Sequence, residues 1–436
     1  MGKESMQNFL RGIGMLATDI SMEEEWKRFL EHMRNGLKGD RAPEALQMIP
    51  TYLSLGKNVP INEKVIVIDA GGTNFRICTL YFDDKHQPII ENFQNMPMPG
   101  SQGEVSRQEF FGIIAEVLLP YLEYSQKIGF CFSYPAEITP NHDGKILGFT
   151  KEVQCPEAEG EILGESLRGT LADLGYSGEL HVVVLNDTVA ALLGGFAVSN
   201  MREFSSYVGF ILGTGLNAAY IEENINIQKL RGQIPLLNNM LINIEAGNYF
   251  VTKQSLVDKL IDEASSSPGA YHLEKQISGR YQGLIAYHIL QLAVEEESLF
   301  SDAFKQKFQE VDEIKSYQLD KFIDDPYGDN LLAELTVTLE DKDNVYYIID
   351  AIFERAAILV SVLFAAIHEQ TGKGLSPTKP LAITIEGTTY YKSEMFRNKL
   401  ESYVKQFVND KLGFYNEFLQ VEHANLMGSA IAALVN

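Results

Sequence analysis

Two stretches of the chain follow the same pattern, and that pattern narrows the folds open to it. In "VIVIDAGGTNFRICTLYF", residues 65–82, β-branched and aromatic runs flank Gly71, Gly72, Thr73 and Asn74. In "YVGFILGTGLNAAYIE", residues 207–222, two more apolar runs flank Gly213, Thr214 and Gly215, with Asn217 close behind. Such runs are strand material, and glycines between them read as tight hairpin turns. A hairpin needs no ligand, so what these turns hold has to come from the rest of the chain.

Around them, strand and helix patterns alternate. Trp26, Phe29, Leu30, Met33 and Leu37 fall at helical spacing over 22–37, and Gly39 follows as a stop. "IIENFQNMP" predicts a third strand, 107–122 a helix, and "KIGFCFSYPAEI" a buried strand. "LHVVVLNDTVAALLGGFAV" predicts a strand that runs directly into a helix at Asn186, Asp187 and Thr188. Residues 254–355 read as mostly helical, with the acidic "LDKFIDDPYGDN" as a solvated surface. "RAAILVSVLFAAIHEQTG" predicts a long apolar helix over 355–372, "LAITIEGTTYY" a strand closing on Gly387-Thr388, and "GSAIAALV" a terminal helix. This order argues for an α/β fold with a mixed sheet in each of two lobes, the turns meeting at a cleft. At 436 residues the chain exceeds what one core usually serves.

Composition removes several classes of function. A net charge of −23 repels phosphate backbones and anionic membrane surfaces, so no nucleic acid and no membrane partner is expected. A bound nucleotide would then need backbone N–H groups, a metal ion and a few placed cations. Cys78, Cys131 and Cys155 lack C-x-x-C spacing and suggest neither a disulfide framework nor a zinc site. With no long apolar stretch and no cleavable leader pattern, a cytoplasmic location is expected.

The first turn is neither a P-loop, which requires G-x-x-x-x-G-K-[ST], nor a dinucleotide fingerprint, because a strand rather than a helix follows it. Its glycines still leave room for a phosphate beside the backbone, and Thr73, Asn74 and Arg76 add donors. Asp69 beside phosphates makes sense only with an intervening cation, and partly hydrated Mg²⁺ fits. Asn186-Asp187-Thr188 is good capping material, yet a cap at the C-terminal end of a strand also sits where α/β ligands bind. Asp187 could there accept a proton from an attacking hydroxyl. Thr150-Lys151, Ser133, Asn217 and Glu245 are each weak alone; together they are hydrogen-bonding groups suited to a polyhydroxyl ligand.

The ordered set "IDAGGTNFR", "FCFSYP", "LGFTKE", "LNDTVAAL", "ILGTGLNAAYIE", "INIEAG", "EKQISGRYQG", "RAAILVSVLFAAI" and "ITIEGTTYY" resembles the hexokinase family of eukaryotic type, and the resemblance covers nearly the whole chain. It implies two actin-like, ribonuclease H-like lobes: a small one of 64–194 plus 424–436, and a large one of 1–63 plus 195–423. It further implies an ATP-dependent kinase for the primary hydroxyl of a hexose. Asp187 would be the general base and Lys151 would stabilise the transferred phosphoryl group. Ser133, Thr150, Lys151, Asn186, Asp187, Asn217 and Glu245 would line the hexose pocket. Gly71, Gly72, Thr73, Asn74 and Arg76 would hold ATP phosphates from one lobe and Thr214 and Gly215 from the other, with Gly387 and Thr388 by the adenosine. Asp69 would contact Mg²⁺ through water. The chain departs from the family pattern at Leu284, where a sugar-binding glutamate is usual, and at Glu152, Ala246 and Met427. A kinase for another hexose or amino sugar, a silent sugar-binding regulator and an ATP-driven scaffold are the rival readings.

Overall fold

The computed structural model describes residues 2–40, 44–55, 58–149, 153–199 and 202–436. Thr150, Lys151 and Glu152 lie outside the described residues. Thirteen strands are described: β1 (Ile49–Pro50), β2 (Val65–Gly71), β3 (Asn74–Phe82), β4 (Pro88–Pro97), β5 (Lys127–Phe132), β6 (Ala136–Ile138), β7 (Gly144–Ile146), β8 (His181–Leu185), β9 (Ser206–Leu212), β10 (Leu216–Glu223), β11 (Asn239–Asn243), β12 (Leu381–Glu386) and β13 (Asn416–Leu419). They form two mixed sheets, ordered β4-β3-β2-β5-β8 and β1-β11-β10-β9-β12-β13, and a β6-β7 hairpin.

Each sheet opens with the pattern that the sequence announced. In the first, β2 and β3 are antiparallel, pairing Gly71 with Asn74, so Gly72 and Thr73 form a two-residue loop. Gly72 takes φ +61°, a left-handed conformation that glycine adopts without a Cβ penalty. In the second, β9 and β10 pair Leu212 with Leu216 across Gly213, Thr214 and Gly215. Parallel pairing extends each sheet on one side, through β5 and β8 beside β2 and through β12 and β13 beside β9.

Two helices lie between the sheets. Asp187–Val198 packs on β9 and β12, Ala424–Val435 packs on β2, β5 and β8, and the two helices pack on each other. Their core joins Val65, Val67 and Cys131 of the first sheet to Ala219 and Leu241 of the second. Glycines allow the close approach: a Cβ on Gly428 would sit 1.9 Å from Ala190 O, and one on Gly129 would sit 2.0 Å from Ser429 O. A second core sits under the helices Arg107–Leu118 and Leu163–Asp173, and the largest surrounds Leu339–Thr371.

Several expected elements differ in their limits. The helix expected over 107–122 ends at Leu118 and tightens into a 3₁₀ turn, Leu119–Glu123, where Pro120 removes a donor. "KIGFCFSYPAEI" is broken at Pro135, and its second half pairs with β7 instead. The long apolar helix starts at Leu339, because Thr338 and Asp341 form a capping box ahead of the polar turns. Part of the acidic segment is the helix Ser316–Asp324, which buries Leu319 and Phe322, so it is not simply a solvated surface. Gly387 caps a short helix, Thr388–Lys392, in place of a turn. Among the described residues no helix is long and apolar enough to cross a membrane.

Candidate active site

A cleft of about 1530 Å³ runs between the sheets, lined from one side by Gly72, Thr73, Asn74, Ser133, Asn186 and Asp187. From the other side it meets Gly213, Thr214, Gly215, Asn217, Glu245 and Thr388. Most of the residues singled out in the sequence therefore share one cavity. Gly71, Asp69, Arg76 and Gly387 are not among the residues that line it, and Thr150 and Lys151 lie outside the described residues.

Asp187 owes its place to the junction of β8 with the next helix. Asn186 is the N-cap, and its Oδ1 accepts from Thr188 N at 2.9 Å. Asp187 Oδ1 accepts from the same N–H at 2.9 Å. Capping and substrate contact are compatible here, because Asn186 supplies the cap and Asp187 still faces the cleft.

Asn217 and Glu245 form a polar wall opposite. Glu245 follows β11 with φ +57°, and burial pushes its carboxyl above the usual range, while a hydrogen bond from Asn243 opposes that shift. Asn243 Nδ2 donates to Glu245 Oε1 at 2.7 Å, and Asn217 Nδ2 donates to Asn243 Oδ1 at 2.7 Å. Glu274 lines the same wall, where its Oε2 accepts from Leu216 N at 2.9 Å and so ties the second turn to the helix His272–Ile277.

The two turns are held by different means. Tyr134 Oη donates to Gly72 O at 2.5 Å, and Met98 N donates to Thr73 O at 2.9 Å. At the second turn, Ser278 Oγ donates to Thr214 O at 2.9 Å and Gly279 N to Gly213 O at 2.7 Å. Gly387, at φ +107°, packs against that turn; a Cβ there would sit 2.3 Å from Leu212 O. Asp69 is buried and takes Arg76 Nη1 at 3.0 Å, which directs the guanidinium to the carboxylate. Burial pushes the Asp69 carboxyl up, and the Arg76 charge opposes it. Glu386, at the end of β12, is pushed up to about 7 by burial, then by the charges of Asp187 and Asp69.

Sequence reasoning did not single out Asn243, Glu274, Tyr134 or Glu386. Asn243 was findable only as a neighbour, since it stands two residues before Glu245 in "INIEAG". Glu274 and Glu386 depend on distant segments meeting and left no local sign. Of the departures, Leu284 lines the cleft, half-packed on the large core. Ala246 is buried and gives its N–H to Asn217 Oδ1 at 3.2 Å, and Met427 is buried in the core between the sheets.

Comparison with known proteins places this arrangement. Two family models, both described as hexokinase, match residues 14–196 and 207–435. Hexokinase-5 of Oryza sativa subsp. japonica is 28% identical over 409 residues, covering 87% of this chain and 79% of its own. Hexokinase-1 of Spinacia oleracea is 27% identical over 432 residues, covering 92% and 84%. A hexokinase from Schistosoma mansoni, solved with glucose, shares the fold at a TM-score of 0.80, with 23% identity and 100% of each chain covered. With a cleft that unites both hairpin turns and family matches spanning both lobes, the chain belongs to the hexokinase family of eukaryotic type.

Proposed function

We propose that the cleft transfers the γ-phosphoryl group of ATP to the primary hydroxyl of a hexose, with Asp187 as the base. ATP-dependent hexose phosphorylation follows from the family, which favours an enzyme over a silent sugar-binding regulator. The observation that carries the finer reading is the meeting of Asp187 with both glycine turns and the Asn217–Glu245 wall in one cavity.

Phosphoryl transfer proceeds through a loose transition state, so positioning and charge neutralisation do most of the work. Asp187 anchors Oδ1 on Thr188 N, which leaves Oδ2 for the substrate hydroxyl. It orients the attacking oxygen and takes its proton late, so a strong base is unnecessary. Asn186, Ser133, Asn217 and Glu245, which line the cleft, hold the other hydroxyls; by resemblance to the family, Thr150 and Lys151 complete this set, Lys151 opposing charge on the transferred group. Gly71, Gly72, Thr73, Asn74 and Arg76 on one lobe and Thr214 and Gly215 on the other bind phosphate, with Gly387 and Thr388 toward the adenosine.

Asp69 fits a cation that arrives on the phosphates. It is a buried carboxylate, with hard oxygen donors, directly behind the first turn. Among the described residues no three His, Cys, Asp or Glu side chains cluster as a metal cage, and hydrated Mg²⁺ carried by ATP needs only one such group. Bound there, Mg²⁺ would neutralise phosphate charge. The lobes we assign are 64–194 plus 424–436 and 1–63 plus 195–423, supported by one sheet and one core in each. Three buried free cysteines support a reducing, cytoplasmic setting.

The test is ADP release with MgATP against glucose, mannose, fructose, glucosamine and N-acetylglucosamine. Release that depends on a sugar, with the product phosphorylated at the primary hydroxyl, is the expected result. ADP release independent of every sugar would refute the reading.

A further inference from the structure

We infer that Asn243 is a positioning residue that holds Glu245 Oε1, so that Oε2 is left to accept from a sugar hydroxyl. The inference rests on the reading of Glu245 as a sugar-binding residue. It follows from a chain of hydrogen bonds whose direction is forced at its start. Asn217 Oδ1 lies 2.7 Å from Ala218 N and 3.2 Å from Ala246 N. Backbone N–H groups cannot accept, so this atom is the amide oxygen and Nδ2 must point the other way.

From there each link sets the next. Asn217 Nδ2 donates to Asn243 Oδ1 at 2.7 Å and, more weakly, to Glu245 Oε1 at 3.3 Å. With its oxygen occupied as an acceptor, Asn243 turns Nδ2 to Glu245 Oε1 at 2.7 Å. Two amide donors therefore converge on one carboxylate oxygen. Glu245 Oε2 has no hydrogen-bond partner among the described residues, and the residue lines the cleft. Asn243 is 4% exposed, on β11 opposite Ala219 of β10, so the relay is built into the sheet.

The relay also opposes protonation of the carboxylate. Burial and the nearby charges of Asp187 and Glu274 favour protonation of Glu245, and the Asn243 and Asn217 amides oppose it. Among the described residues, Tyr271 also faces this charge: burial first, then the charges of Glu245 and Glu274, push its hydroxyl up. Removing the Asn243 donor should make Glu245 hold its proton at higher pH and lose its acceptor role there.

The experiment measures kcat and KM for glucose at saturating MgATP, over a pH series on both sides of neutral, in the parent, Asn243→Leu, Asn243→Asp and Glu245→Gln. Asn243→Leu is expected to raise KM about tenfold or more while kcat stays within about threefold. The acid limb of kcat/KM should move to higher pH. Asn243→Asp keeps the shape of the side chain, so it carries the test if the leucine variant fails to fold; its KM should also rise near neutral pH. A fall in kcat with KM and the acid limb unchanged would reduce Asn243 to a structural role and overturn the inference. If Glu245→Gln raises KM but neither Asn243 variant does, the inference fails and the sugar role of Glu245 stands. If Glu245→Gln leaves KM unchanged, that role fails and the inference with it.

Discussion

Gly428→Ala tests how the lobes are joined. The added methyl would sit 1.9 Å from Ala190 O and 2.6 Å from Ala190 C, both backbone atoms that cannot turn aside. Regaining ordinary contact requires the two central helices to part by about 1.5 Å. They cannot part freely, because Gly194 stands against Ala424 and Gly129 against Ser429 on the same helix. Overpacking of this kind costs about 1–3 kcal/mol, and here the upper half of that range is expected because backbone opposes backbone. Gly169→Ala is the control: its site is an exposed helical position with nothing within 4 Å. There the substitution should stabilise by about 0.5–1 kcal/mol, since alanine loses less backbone freedom on folding. Urea midpoints of the two variants against the parent read both signs. An unchanged midpoint for Gly428→Ala would refute the reasoning, whatever the control does.

Other substitutions reach the remaining parts of the structure. Arg355 makes a bidentate pair with Asp258, at 2.7 and 2.8 Å with both side chains buried; Arg355→Met should cost about 3–5 kcal/mol by urea unfolding, because it strands a buried carboxylate. His368 is held down to about 4 by burial, so the folded state stays neutral while the unfolded state takes a proton near 6.5. Stability should therefore fall as pH drops from 6.5 toward 4. By pH 5 the loss should exceed that of His368→Gln by roughly 2 kcal/mol, and equal losses would contradict the assignment. Leu284→Glu should change the rank order of the hexose panel by about tenfold or more, as a hydroxyl partner worth ~1–3 kcal/mol is added; an unchanged order would mean that Leu284 does not meet the sugar.

The parts legible in sequence were those encoded locally. Gly72 and Thr73 fall between β-branched runs, so the hairpin and its register could be read from spacing alone. Gly39 and Gly372 stop their helices in the left-handed conformation that their positions suggested. What escaped depends on partners far away in the chain. Short β1, β11 and β13 carry mixed composition and form strands only because a neighbour offers an edge. The apolar run alone suggested a helix over 355–372, yet the capping box of Thr338 and Asp341 starts the 33-residue helix well before it. In the site, "INIEAG" displayed Glu245, while the relay through Asn243 appears only when β10 and β11 are paired. Arg76 read as a phosphate donor, and the structure adds its ion pair with Asp69.

Single-turnover transfer by Asp187→Asn, at saturating glucose and MgATP, addresses the central claim most directly. Equilibrium dialysis of glucose with the same variant separates binding from chemistry. The side chain keeps its shape and an oxygen to accept from Thr188 N while losing the capacity to take a proton. Glucose binding within about threefold of the parent, with transfer slower by ~10²–10⁴, is the predicted result. Transfer within tenfold of the parent (about 1.4 kcal/mol) would contradict the assignment of Asp187 as the base.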